Sequence, residues 1–246
     1  MIVFPMAGLS RRFADAGYTL PKYVLPVHGR SLFSHAVLSF ESEFQTETFV
    51  FAYREVDGTR AFIEYECQAL GIREVVLHEL PGPTAGQADT VDRAVAAALT
   101  GGDESLLVFN IDTVRRNWVR PAFLDDRTVA GYLEVVQAPG EGWSFVEPGP
   151  GGTVLRTAEK ERISDLCSTG LYFFSSAGAF RDAFARARRD GLTVRGEYYV
   201  APLYNILIAD GAMIRYEEIP RADVAFSGVP AEYEELARRS DGIWGR

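Results

Sequence analysis

The sequence predicts an α/β fold with a doubly wound, mostly parallel mixed sheet, and three observations carry that expectation. Strand-like apolar runs at Ile2 to Met6, Thr48 to Tyr53, Glu74 to His78 and Leu106 to Asn110 are separated by stretches of helical spacing, as in strands joined by crossover helices. Two of those stretches each present one apolar face, Phe33, Ala36, Val37 and Phe40 after a Ser31 cap and Ala88, Val91, Val95 and Leu99 after Thr84, so each can cover one side of the sheet. From Val129 onward, Pro139–Gly140 and the run from Pro148 to Gly152 interrupt the strands at hairpin spacing, so the second half adds antiparallel strands.

Later helices are expected at Ser176 to Arg189, Tyr199 to Ala209 and Ala231 to Arg239, with Gly191 and Gly211 as stops. With 246 residues and 47% apolar composition the chain can bury one large core. No internal repeat or linker is apparent, so we expect a single domain over 1–246, with an anion-binding half at about 1–128 and a second, ligand-binding half at about 129–246.

The net charge of −9 argues against non-specific nucleic-acid binding, which needs many phosphate-neutralising cations. The first 40 residues nevertheless carry Arg11, Arg12, Lys22 and Arg30 against Asp15 alone. A local cationic patch on an acidic chain suits a small anionic ligand. No apolar run of membrane-spanning length occurs, and the first apolar stretch lacks the basic flank of a signal peptide; no membrane partner and a cytoplasmic location are expected. Cys67 and Cys167 have no neighbouring Cys or His, which favours two reduced, buried thiols over a metal site.

The first strand runs directly into Met6-Ala7-Gly8-Leu9-Ser10-Arg11-Arg12-Phe13. A small turn at the carboxyl end of a strand brings backbone N–H groups to phosphate oxygens, and Arg12 adds charge. The stretch has neither the G-x-G-x-x-G of dinucleotide folds nor the G-K-[ST] ending of a P-loop. Taken alone, it could equally be an ordinary strand-to-helix turn with solvated arginines.

Fourteen residues past Gly8 the chain reads Pro21-Lys22-Tyr23-Val24-Leu25-Pro26-Val27-His28-Gly29-Arg30-Ser31-Leu32. Together the two segments resemble the sugar-phosphate nucleotidyltransferase family, of Rossmann-like, GT-A-like NTP-transferase fold. The resemblance implies transfer of an NMP unit from an NTP (UTP, CTP or dTTP) to a phosphorylated small molecule, with release of pyrophosphate. It implies that Ala7, Gly8, Ser10, Arg12 and Lys22 enclose the triphosphate. Arg12 and Lys22 would stabilise charge on the α-phosphate and the departing pyrophosphate.

Three further stretches extend the resemblance. Gly82-Pro83-Thr84-Ala85-Gly86-Gln87-Ala88-Asp89-Thr90 is similar to the family's base-recognition loop; Gln87 both donates and accepts along a base edge, and Gly86 permits close approach of backbone. Leu107-Val108-Phe109-Asn110-Ile111-Asp112-Thr113 ends an apolar strand with Asn110 toward the nucleotide and with Asp112, which matches the family's Mg²⁺-binding aspartate. On the acceptor side, Trp143-Ser144-Phe145-Val146-Glu147, Ala158-Glu159-Lys160, Ser168-Thr169-Gly170-Leu171-Tyr172 and Gly196-Glu197-Tyr198-Tyr199 follow. The resemblance gives Lys160 the acceptor's phosphate and Glu159, Gly170 and Glu197 its hydroxyls, while Tyr198 and Tyr199 read as core packing. More narrowly, the chain resembles a bacterial branch associated with capsule and surface-polysaccharide assembly.

The chain departs from the family where a second metal-binding aspartate precedes a Gly-Thr; here Phe226-Ser227-Gly228-Val229-Pro230 stands. The departure leaves open a non-catalytic nucleotide-binding or regulatory protein. A GT-A-type glycosyltransferase is disfavoured, because no Asp-x-Asp metal motif accompanies the phosphate turn. Of 25 basic residues only Lys22 and Lys160 are lysine, the two positions assigned to phosphates, where a compact ammonium fits better than a broad guanidinium fork.

Overall fold

The computed structural model describes residues 1–99, 104–240 and 242–244. β1 (Ile2–Met6) leads into the short α1 (Arg11–Asp15), and a hairpin of β2 (Pro26–Val27) and β3 (Arg30–Ser31) precedes α2 (Leu32–Leu38). β4 (Thr48–Tyr53), α3 (Thr59–Leu70), β5 (Glu74–Glu79), α4 (Gln87–Ala98) and β6 (Leu106–Phe109) follow. Next come β7 (Thr113–Arg115), β8 (Val129–Gln137), β9 (Ser144–Pro148), β10 (Val154–Glu159) and β11 (Leu166–Phe174). The remaining elements are α5 (Ala177–Arg189), α6 (Leu203–Ala209), β12 (Met213–Glu218), β13 (Val224–Phe226) and α7 (Pro230–Arg238).

β5, β4, β1 and β6 lie side by side in parallel. β11 joins β6 antiparallel and β8 joins β11 antiparallel, so one sheet crosses both halves of the chain. β9 and β10 branch antiparallel from the first residues of β11. β12 departs from the antiparallel expectation: it runs parallel to β8, because α5 and α6 carry the chain back across the sheet before it re-enters. Off the sheet, β7 and β13 form an antiparallel ribbon pairing Phe226 with Thr113.

Alternation along the strands feeds two cores. Val3, Val50 and Val108 pack against α4, α5 and α6 through Val91, Phe180 and Leu203. Phe4, Phe51 and Phe109 face α2 and α3 through Phe33, Val37 and Ile63. Phe4 stacks on Phe51 at 5.2 Å, and Phe40 meets Phe109 edge-on at 4.9 Å. Each of these buried rings contributes roughly 1.5–3 kcal/mol of burial. Cys67 and Cys167 are both free and buried.

Ser31 caps α2 as its side chain accepts from the Ser34 N–H, and Ser176 caps α5 in the same way through Ala179. Thr84 does not cap α4. Gly86 holds the N-cap position, and the Thr84 hydroxyl bonds Thr90 and the Gly86 carbonyl instead. The helix expected from Tyr199 begins only at Leu203, since Pro202 disfavours helical backbone at the residue before it.

Candidate active site

The carboxyl ends of β1 and β6 open onto a cavity of about 740 Å³, the position at which doubly wound sheets take ligands. Ala7, Gly8, Ser10, Arg12, Lys22, Gly86, Gln87, Asn110, Asp112, Glu159, Gly170 and Glu197 all line it. The Lys160 ammonium donates to the hydroxyl of Tyr199, which also lines the cavity, and lies 4.0 Å from the Glu159 carboxylate.

The turn after β1 is set by Ser10, whose left-handed backbone (φ 48°) starts α1 while its carbonyl accepts from Phe13 and Ala14. Phe13 is buried and anchors the turn, so Arg11 and Arg12 stay exposed on the cavity side. Lys22 sits in a single 3-10 turn held by the buried Tyr23, whose hydroxyl bonds Thr59 at 2.8 Å. The Lys22 ammonium donates to Oδ2 of Asp112. Asp112 is fixed from behind, its carbonyl accepting from the N–H and the hydroxyl of Ser227 at 2.8 and 3.0 Å.

The loop that leads into α4 is built around a close approach. Gly86 has φ +128°, and a Cβ on it would lie 2.5 Å from the carbonyl oxygen of Tyr198. Tyr198 also donates to the Ala85 carbonyl at 2.9 Å and accepts from Ala88 at 3.0 Å. The approach that demands glycine is therefore that of the chain's own backbone at Tyr198. Gln87 donates to Asn110 at 2.5 Å. Asn110 in turn presses on the β11 bulge, where a Cβ on Gly170 (φ +91°) would meet its amide nitrogen at 2.4 Å.

Asp89 ties this loop down by accepting from the Ala85 N–H at 2.9 Å and from both arms of Arg93. Burial pushes its carboxyl up, but the Ala85 N–H and Arg93 outweigh burial and hold it below its ordinary 3.8. A carboxylate depressed on folding stabilises above its unfolded pKa and loses that contribution as pH falls through the folded value. Asp89→Asn should therefore melt below the wild type at neutral pH, and the gap should close as pH falls below about 3.8. A gap independent of pH would contradict the linkage.

On the wall built by the second half of the chain, Glu159 is buried and its carboxyl is raised by burial, against the hydroxyl of Ser144 and the charge of Lys160, 4.0 Å away, which favour the ionised form. Ser144 also bonds the Tyr172 hydroxyl at 3.2 Å, whose pKa burial pushes up to about 12. Tyr199 donates to Glu197 at 2.6 Å. Tyr199 is thus a cavity residue, correcting the expectation of core packing, whereas Tyr198 does pack on the core. The available signal was alternation: in an extended segment Tyr199 shares a face with Glu197. Trp143, Thr169 and Tyr172 from the quoted motifs, Phe226 at the expected aspartate position and Glu232, which no motif marks, also line the cavity.

The chain matches no protein-family model and no curated protein. Among solved structures it is similar to the nucleoside-diphosphate-sugar pyrophosphorylase from Vibrio cholerae RC9, at 45% identity over 97% of this chain and 100% of that one, with a TM-score of 0.91. A putative glucose-1-phosphate thymidylyltransferase from Bacillus anthracis shares the fold at 17% identity over 95% and 92% of the two chains, with a TM-score of 0.74. The inositol-1-phosphate CTP transferase from T. maritima shares it at 15% identity over 94% and 89%, with a TM-score of 0.72. Identity near one half over the whole length, with the same fold at a TM-score of 0.91, makes the chain a member of the nucleoside-diphosphate-sugar pyrophosphorylase family of nucleotidyltransferases.

Proposed function

We propose that the chain joins the NMP unit of UTP, CTP or dTTP to a phosphorylated acceptor, a sugar 1-phosphate, and releases pyrophosphate. The observation that carries this reading is the Lys22–Asp112 pair at the cavity wall, with Arg12 on the phosphate turn and Glu159 and Glu197 on the acceptor side of the same cavity. An acceptor phosphate oxygen attacks the α-phosphorus, and the bond to the β-phosphate oxygen breaks. Arg12 and Lys22 neutralise the charge that grows on the non-bridging oxygens and on pyrophosphate. Gln87, held by Asn110, reads the base edge from a fixed position. Glu159 and Glu197 accept from acceptor hydroxyls, and Lys160 acts on the acceptor phosphate together with Tyr199.

The Asp112 carboxylate already carries a cation and offers hard oxygen ligands in the cavity, so it fits Mg²⁺. Bound there, Mg²⁺ neutralises phosphate charge and orients the triphosphate. The surface-polysaccharide motifs of the sequence support a place in capsule assembly. No described helix is long and apolar enough to cross a membrane, and a soluble NTP supply favours the cytoplasm.

The test is a matrix of common NTPs against phosphorylated acceptors, with pyrophosphate release as readout. One pyrimidine nucleotide with a sugar 1-phosphate is the expected hit. Nucleotide binding without turnover across the matrix would overturn the reading.

A further inference from the structure

We infer that Glu232 supplies, beside Asp112, the second carboxylate of the metal site. The inference rests on the nucleotidyltransferase reading. Position 226, where the resembled enzymes place a second aspartate, holds a phenylalanine whose ring packs on Trp143 at 4.8 Å with the Arg221 guanidinium 4.9 Å away. That ring offers no oxygen to a hard cation. Glu232 lies on the first turn of α7 and lines the same cavity as Asp112 and Lys22.

The geometry around Gly228 joins the two carboxylates. A Cβ placed on Gly228 would lie 3.3 Å from Oδ2 of Asp112 and 3.6 Å from Oε2 of Glu232. Gly228 is absent from the positive-φ positions, so its backbone does not require glycine. What the missing side chain leaves is a hollow faced by two anionic oxygens. The Asp112 oxygen on that hollow is the one that binds the Lys22 ammonium, so a cation is already drawn to it.

Oε2 of Glu232 accepts from the N–H groups of Gly228 and Val229 at 2.8 and 3.2 Å. Those bonds fix the carboxylate with Oε2 on the hollow, and Oε1 has no hydrogen-bond partner among the described residues. Among the described residues no third acidic, His or Cys side chain completes a protein-only metal cluster. Mg²⁺ in phosphoryl-transfer sites is held by one or two carboxylates, with substrate phosphates and water filling the rest.

The alternative is that Glu232 only caps α7, and the two roles separate in Glu232→Gln. Its amide oxygen still accepts from Gly228 and Val229, while the charge is gone. Mn²⁺ alone is titrated into the full chain and the free-ion electron spin resonance signal is followed, alongside thermal melting. Glu232→Gln should weaken Mn²⁺ binding about tenfold with an unchanged melting temperature, and adding Phe226→Asp should restore it by returning a carboxylate to the same wall. Wild-type affinity in Glu232→Gln overturns the inference. If Asp112→Asn also keeps wild-type affinity, or the wild type binds no Mn²⁺, the metal assignment of the proposed function falls with it. Loss in Asp112→Asn alone leaves that assignment standing and reduces Glu232 to a helix cap.

Discussion

Replacing Lys22 by methionine should lower kcat by about 100- to 1,000-fold, the scale set by removing one charge-stabilising donor from a preorganised site. The side chain is held for this role. Tyr23 and Thr59 pin the turn, Asp112 keeps the ammonium at the cavity wall, and the charge is only partly exposed. Methionine matches the stem but brings no charge to departing pyrophosphate, and it leaves Asp112 unpaired. Lys22→Arg is the sharper case. It keeps the charge but needs planar room for a fork, at a point already crossed by Asp112 and the phosphate turn. We expect less than a tenth of wild-type turnover from it, measured as pyrophosphate release at saturating substrates. Normal turnover in Lys22→Arg would contradict the reading of the two lysines.

Glu134→Ala should destabilise the fold by about 3–5 kcal/mol, the cost of stranding one partner of a buried ion pair. Glu134 is 1% exposed in the middle of β8. It accepts from Arg115 at 2.8 Å and from the Thr169 hydroxyl at 3.2 Å. Arg115 lies on the ribbon that begins just after Asp112, and Thr169 sits on the cavity wall beside the Gly170 bulge. Truncation leaves the Arg115 guanidinium without its carboxylate inside the protein. The melting temperature should fall by on the order of 10 °C for a chain of this size. Replacing both partners by apolar side chains, Glu134→Leu with Arg115→Met, should recover most of the loss, because the desolvation cost of both charges then disappears. Equal destabilisation in the single and double variants would show that packing, not charge, dominates there.

What the sequence revealed followed the range of the interactions involved. The parallel strands, the glycine turn after β1, the Ser31 cap and the acidic strand end are written in neighbouring residues, and periodicity or a contiguous motif exposes them. Tyr199 and Glu232 are different. Tyr199 sits beside the core residue Tyr198 in an aromatic pair that reads as packing, and only the fold turns its hydroxyl toward Glu197 and Lys160. Glu232 looks like an ordinary first-turn acid until β13 brings Gly228 against Asp112. Lys160 shows the same limit: its motif stands in the sequence, but its left-handed backbone (φ 56°) and its bond to Tyr199 come only from the fold. The parallel entry of β12 was hidden because a strand's direction depends on the crossover before it, not on its own residues.

The seam at Tyr198, where backbone bonds to Ala85 and Ala88 lock against Gly86, makes one mechanical unit of two stretches more than a hundred residues apart in the chain. A residue inserted between Gly196 and Tyr198 would have to be absorbed on its own side of that seam or else drag Gly86 and the start of α4 with it, so a change of length in either stretch is felt by the other.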